Sequence, residues 1–129
     1  RLQYEMSQRR MMSDVPDADV VITNPTHYAV ALKYSSDDMK APILLAKGTE
    51  EVALKIREIA NHHKIPVVEA PSLARSVYTF TKVGKEIPEG LYVAIAQVLA
   101  YVYQLDQFFK REGPRPKQPA FPVPPDLRA

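Results

Sequence analysis

The sequence predicts a small α/β domain: a mixed four-stranded sheet flanked by about three helices, preceded by a linker helix and followed by a disordered, proline-rich tail. Short apolar runs and segments of helical period follow one another in the order strand, strand, strand, helix, strand, helix, helix. The length of 129 residues suits one hydrophobic core. Six of the twelve prolines fall within residues 114–125, where no packed core is expected.

Composition excludes several classes of function. Hydrophobic residues make up 46% and charged residues 25% of the chain, as in an ordinary globular protein. The absence of cysteine excludes disulfides, thiolate metal sites and cysteine nucleophiles. A net charge of +2 is too small to indicate nucleic acid as a partner. Because His62 and His63 are adjacent, they point in different directions on a helix and do not form a metal pair. We therefore expect no cofactor and no metal.

Residues 1–16 are predicted to form a charged linker helix. Leu2 and Met6 stand four residues apart, but their apolar stripe is too narrow to demand burial. Val15 precedes Pro16, which disfavours α geometry and ends the helix. Since the chain begins with Arg1 inside such a helix, we expect it to be a piece of a longer protein.

Three strands are predicted next, at residues 20–23, 28–34 and 43–46. The first two are β-branched, apolar runs, and alternate residues of the second belong to opposite faces of the sheet. The third reads Ile-Leu-Leu-Ala without alternation, which predicts a strand buried on both faces. A polar turn at residues 35–38 separates the second strand from the third.

The first core helix and the last strand follow. Thr49 is a plausible N-cap for a helix that ends near Lys64, before Pro66. Glu50 lies at the positive end of the dipole of this helix. A short strand is then predicted at residues 67–68.

Two further helices complete the predicted domain, which spans residues 17–110. Ser72 can cap a short helix that Gly84 ends, and Pro88 is well placed as the first residue of a long helix reaching Lys110. The remaining residues, 111–129, are the tail that we expect to be polyproline-like or disordered.

The segment Asn24-Pro25-Thr26-His27 joins the first two strands and carries unusual chemistry. An Asn-Pro pair is ordinarily only a turn. Pro25 has no N–H, so it cannot attack the asparagine side chain, which is the common route of asparagine damage. The Asn24 side-chain nitrogen can instead attack its own main-chain carbonyl carbon. That attack closes a succinimide, expels the proline nitrogen and cuts the chain between Asn24 and Pro25, provided that the turn supplies orientation and strain.

The neighbouring residues have roles to fill in such a reaction. His27 is expected to accept a proton from the amide or to deliver one to the departing proline nitrogen. Thr26 is expected to stabilise the oxyanion through its backbone N–H or its hydroxyl. The reaction would act once on the chain itself, so we expect a single autocatalytic event and not a turnover enzyme.

The same motif and its surroundings closely resemble the FlhB/YscU family, the export-switch proteins of type III secretion. Residues 17–23 precede the motif and residues 28–32 follow it in the family's manner. Further matches are Ala41-Pro42, Ala46-Lys47-Gly48, residues 56–60, residues 66–69, Leu73-Ala74-Arg75 and Ile87-Pro88. Tyr28 and Ala29 after the motif, together with the proline-rich tail, resemble the flagellar branch.

This resemblance implies a cellular location, a reaction and partners that composition alone does not indicate. It implies a membrane part before residue 1, a position at the cytoplasmic face of the bacterial inner membrane, and cleavage at the Asn-Pro bond with both pieces staying associated. Cleavage would permit export to change from rod and hook subunits to filament-type substrates. The implied partners are those export substrates, a ruler protein that measures hook length, and other membrane components of the export gate.

The remaining expectations are a docking patch for export signals and two alternative functions for the domain. Ala41 and Pro42, beside the helix face that carries Ala96 and Leu99, could form a shallow apolar patch for export signals, or could simply pack a loop against a helix. One alternative function is an injectisome paralogue with the same switch. The other is an export adaptor domain that does not cleave and whose Asn-Pro pair is only a turn.

Overall fold

The computed structural model describes residues 1–34, 41–111 and 113–129. The polar turn predicted at residues 35–38 lies outside the described residues. The helices are α1 (Leu2–Asp14), α2 (Glu50–His62), α3 (Pro71–Phe80) and α4 (Tyr92–Arg111), and the strands are β1 (Val20–Asn24), β2 (Tyr28–Lys33), β3 (Ile43–Thr49) and β4 (Val67–Glu69). Within these described ranges, no helix is both long and apolar enough to cross a membrane.

The four strands form one sheet in the order β3-β2-β1-β4. β1 pairs antiparallel with β2 and parallel with β4, while β2 pairs antiparallel with β3. The predicted mixed four-stranded sheet is confirmed. β1 and β2 are the inner strands, so each is hydrogen-bonded to a neighbouring strand on both sides. The turn that joins them therefore connects the two strands of the sheet that have two neighbours each.

Both faces of the sheet are covered by helices. On one face, Ile22, Val30 and Leu32 belong to a core that they share with α3 and α4. On the other face, Val21 and Ala31 pack with α2 and the end of α1. Alternate residues of β2 therefore serve two cores, as their alternation predicted. The structure is thus a three-layer α/β domain with the sheet in the middle.

The prediction that the third strand is buried on both faces without alternation is wrong. β3 is an edge strand in which buried and half-buried residues alternate. Its register with β2 shifts, since Leu32 faces Leu44 and Ala31 faces Ala46. The bulge leaves Leu45 without a partner and sends Leu44 and Ala46 into opposite cores. A bulge of this kind leaves no mark in a short apolar run, so the sequence could not reveal it.

Two helix boundaries also differ from the predictions. α3 begins at Pro71 and has no side-chain cap, so Ser72 is not its N-cap, and it ends at Phe80 before the turn that contains Gly84. Pro88 has an extended backbone and precedes a 3-10 turn at Glu89–Leu91, after which α4 begins. The fixed φ angle of proline suits an extended residue as well as the first residue of a helix, so sequence alone does not separate the two.

The prediction of a disordered tail is wrong for residues 113–129. Val123 is only 8% exposed and lies in the same core as α4. Phe121 packs against Tyr101 with 6.4 Å between ring centroids, and Gln118 donates a 2.7 Å hydrogen bond to the carbonyl oxygen of Glu69. The prolines keep the segment extended, so it loses little conformational entropy on docking, and a few apolar residues suffice to hold it.

Candidate functional site

The turn between β1 and β2 is short and closed. Asn24 is the last residue of β1 and pairs with Tyr28, the first residue of β2. Between them, the backbone N–H of His27 donates a 2.9 Å hydrogen bond to the carbonyl oxygen of Asn24. The four residues of the motif therefore form a hydrogen-bonded β-turn at the end of the two inner strands.

Thr26 carries backbone strain in this turn. Its φ is +76°, in the left-handed region, which is uncommon for any residue other than glycine and an outlier for a β-branched one. Proline followed by a residue with positive φ is the pattern of a type II turn, whose third position usually holds glycine or asparagine. A non-glycine residue held there costs roughly 1–3 kcal/mol. This strain lies one residue after the Asn24–Pro25 bond.

The hydrogen bond to Asn24 has chemical consequences. The carbonyl that accepts it is the one that the Asn24 side chain would attack, and a donor already aimed at that oxygen polarises the carbonyl and can stabilise the negative charge of an intermediate. The donor on this oxygen is the backbone N–H of His27, a group that the sequence reasoning did not consider. The oxyanion role expected of the Thr26 N–H or hydroxyl stays a prediction.

The imidazole of His27 contacts a residue that the sequence reasoning missed. Its Nδ1 lies 3.0 Å from the Oε1 atom of Glu50, and the two side chains are 61% and 67% exposed. The backbone N–H of Glu50 also donates a 3.1 Å hydrogen bond to the carbonyl oxygen of His27. The register explains this proximity, because Tyr28 at the start of β2 pairs with Thr49 at the end of β3.

The start of β2 is held from the α3 side. The Tyr28 ring meets the Tyr78 ring edge to face at 5.2 Å. The Lys47 ammonium lies 4.7 Å from the centre of the Tyr78 ring and donates 2.9 Å hydrogen bonds to the carbonyl oxygens of Tyr78 and Thr81. Partial burial lowers the pKa of Lys47 below its usual value. These contacts fix the strand that follows the turn.

The four residues of the predicted docking patch come together in space. Ala41, Pro42, Ala96 and Leu99 line one cavity of about 200 Å³, which Tyr34 and Tyr92 complete. The lining is largely apolar, as a site for apolar side chains requires. Their role in binding stays a prediction.

Nothing in the described part of the chain forms a metal centre. Over residues 1–34, 41–111 and 113–129, no group of three or more histidine, aspartate or glutamate side chains is placed to hold an ion. His62 and His63 are both exposed, and their rings meet edge to face at 5.0 Å.

The fold and the site together define a small α/β domain built around a strained Asn-Pro turn. A family model described as the FlhB HrpN YscU SpaS family matches residues 1–102. The chain therefore belongs to this family, and the resemblance found in the sequence is confirmed.

Individual relatives agree with the family match. The flagellar biosynthetic protein FlhB of Salmonella typhimurium is 51% identical over 125 residues, which are 96% of this chain and 33% of that protein. FlhB of Bacillus subtilis is 50% identical over 105 residues, or 81% of this chain and 29% of that protein. The chain thus spans about a third of the length of the curated relatives that it matches.

Solved structures place the match in one domain of those proteins. The cytoplasmic domain of FlhB from Shewanella putrefaciens superposes with a TM-score of 0.89 at 52% identity, covering 95% of each chain. A mutated EscU C-terminal domain superposes with a TM-score of 0.67 at 30% identity, covering 70% of this chain and 90% of that one. The chain therefore has the fold of the domains that were solved from these two proteins.

Proposed function

We propose that this domain cuts its own backbone once, between Asn24 and Pro25, by cyclisation of the asparagine. The observation that carries the proposal is the closed turn in which the Asn24 carbonyl oxygen accepts a hydrogen bond from His27 while Thr26 is held at a φ of +76°. The first feature activates the carbonyl carbon that is attacked. The second gives the turn strain that opening the chain would release.

The proposed reaction keeps every atom of the chain. The Asn24 side-chain nitrogen forms a bond to its own carbonyl carbon, and the bond from that carbon to the Pro25 nitrogen breaks. One proton leaves the side-chain nitrogen and one reaches the proline nitrogen, so the products are a succinimide at residue 24 and a secondary amine at residue 25. Water then opens the succinimide. The turn contributes by holding the nitrogen and carbon in reach, since an amide is a weak nucleophile.

The sheet supports the expectation that the pieces stay together. β1 is paired on one side with β2 and on the other with β4, and Val21 and Ile22 are fully buried. One broken turn bond leaves these contacts in place. What changes is local, because a fixed turn becomes two chain ends on the surface of an intact core.

We propose further that cleavage changes the export specificity of a flagellar type III apparatus from rod and hook subunits to filament-type substrates. The family and the flagellar names of the relatives support this role. In the longer protein, the domain would lie at the cytoplasmic face of the bacterial inner membrane. It would act there with other export-gate components and with a ruler protein that measures hook length.

The cavity around Ala96 is the proposed docking site for export signals. Its apolar lining suits the apolar side chains of an extended peptide. Ala96→Leu should fill the cavity and weaken binding of a labelled amino-terminal segment of a rod or hook subunit at least tenfold, without changing cleavage. Ala100→Leu, the same substitution one helical turn away, is the control. Equal affinity of wild type and Ala96→Leu would remove the cavity from this role.

Mass spectrometry of the denatured chain separates cleavage from the adaptor alternative. Chain isolated in denaturant, where the turn cannot form, and refolded by dilution should yield fragments 1–24 and 25–129. Asn24→Ala should stay whole, because it lacks the nucleophile.

Export assays in cells that carry Asn24→Ala in the full-length protein test the change of export specificity. Export that stays limited to rod and hook subunits supports the proposed change, and normal export of filament subunits contradicts it.

A further inference from the structure

Glu50 contacts His27 through both its backbone and its side chain. The Glu50 N–H donates to the His27 carbonyl oxygen over 3.1 Å, and the Glu50 Oε1 atom lies 3.0 Å from the His27 Nδ1 atom. Glu50 itself has a φ of +48°, outside the helical region, although it is the first residue of α2. A backbone held in this way places the glutamate side chain directly beside the imidazole.

We propose that Glu50 is a positioning residue for self-cleavage, which holds the His27 imidazole in one orientation and one tautomer. The inference rests on the proposed cleavage between Asn24 and Pro25. An ionised carboxylate only accepts hydrogen bonds. The Nδ1 atom of His27 must therefore carry the hydrogen in this contact, which leaves Nε2 as the nitrogen with the free lone pair.

The fixed tautomer suits the proton transfer that cleavage requires. The proton that leaves the Asn24 side-chain nitrogen moves to Nε2 of His27, and the same nitrogen gives a proton to Pro25 as the Asn24–Pro25 bond breaks. No net proton is gained or lost. The carboxylate stabilises the imidazolium that exists between the two transfers, in the way that a buried acid orients a catalytic histidine in hydrolases.

Because the His27 and Glu50 side chains are exposed, the positioning role of Glu50 can be tested separately from any effect on the stability of the fold. Both side chains are more than half exposed, and exposed ion pairs contribute little to folding. Removing the carboxylate should therefore slow cleavage while leaving the melting temperature nearly unchanged. Glu51 is the next residue of α2 and is also exposed, so it provides a matched control for loss of a carboxylate at this helix end.

The test compares cleavage rates of the refolded 129-residue chain by intact mass. Glu50→Ala should slow cleavage about tenfold, as loss of an orienting partner of a histidine does elsewhere. Glu50→Gln should cleave at a rate between those of wild type and Glu50→Ala, because its side-chain oxygen still accepts from Nδ1 but carries no charge to stabilise the imidazolium. Glu51→Ala should match wild type. In a His27→Ala background, itself slowed about a hundredfold, Glu50→Ala should have no further effect.

The outcomes separate this inference from the proposed function. Wild type that never cleaves overturns the proposed function. Wild type that cleaves while Glu50→Ala keeps the same rate overturns the positioning role alone. An equal slowing by Glu50→Ala with and without His27 also overturns it, since Glu50 would then act on something else. If Glu50→Ala folds poorly, Glu50→Lys against Glu51→Lys decides, because a lysine side chain cannot accept a hydrogen bond from Nδ1: slower cleavage by Glu50→Lys than by Glu51→Lys supports positioning, and equal rates contradict it.

Discussion

The backbone nitrogen of His27 lies 2.9 Å from the carbonyl oxygen of Asn24 and donates a hydrogen bond to it. The last residue of the motif is therefore hydrogen-bonded to the first. The bond closes the turn and aims a donor at the oxygen on which charge would develop during cyclisation. It needs no particular side chain at position 27. The backbone and the imidazole of His27 therefore have separable roles, and replacing the side chain should slow cleavage without abolishing it.

Relief of strain at Thr26 should both stabilise the chain and slow its cleavage. Thr26→Gly permits a φ of +76° without a steric penalty, so the free energy of unfolding of the uncleaved chain should rise by about 1 kcal/mol. Cleavage should slow, because less strain is released when the bond breaks. Denaturant unfolding in an Asn24→Ala background measures the first effect, and intact mass measures the second.

Thr26→Ala is the matched control for the hydroxyl. Alanine keeps a Cβ at the strained position but lacks the oxygen, so a cleavage rate near that of wild type assigns the effect to strain. If Thr26→Ala were as slow as Thr26→Gly, the hydroxyl expected to stabilise the oxyanion would account for the loss instead.

The cleaved pieces should remain associated through the sheet. Fragments 1–24 and 25–129 should elute together in size-exclusion chromatography and separate only in denaturant, because β1 stays paired with β2 and β4. Ile22→Ala removes a fully buried side chain and should lower stability by about 2–5 kcal/mol, so that the small fragment dissociates after cleavage. Met6→Ala, at a 51% exposed position in the same fragment, should leave it bound.

The docked tail should contribute to stability. Val123→Ala should lower the free energy of unfolding by about 1–2 kcal/mol, the value expected for removing two buried methyl groups. Val93→Ala makes the same change at a 62% exposed site on α4 and should be neutral or slightly stabilising. Equal stability of the two variants would show that the tail does not dock on the domain in solution.

Much of this architecture was readable from the sequence because its signals are local. The period of β2 and the pair of β-branched runs around Asn24 identified the hairpin, and helical spacing after Thr49 identified α2. The motif could be identified from the sequence because proline has no N–H to attack the asparagine side chain. Attack by the asparagine side-chain nitrogen on its own main-chain carbonyl is then the reaction left to the pair.

The parts that were missed depend on contacts between distant residues. The bulge at Leu45 depends on the pairing between β2 and β3, and the burial of Val123 depends on a core that other elements build. Glu50 lies 23 residues from His27 in the sequence and reaches it only because the start of β2 pairs with the end of β3. A proline-rich composition predicts an extended segment, but it does not predict which residues that segment contacts.

The measurement that tests cyclisation most directly is the mass of each fragment during the first cleavage events. When refolded chain is denatured for the measurement, fragments 1–24 and 25–129 should have masses that add up to that of the intact chain, because a succinimide forms without water. Fragment 1–24 should later gain one water as the ring opens. A fragment 1–24 that carries the extra water from its first appearance would contradict cyclisation, and a single intact mass in the folded chain after prolonged incubation at neutral pH would contradict cleavage itself.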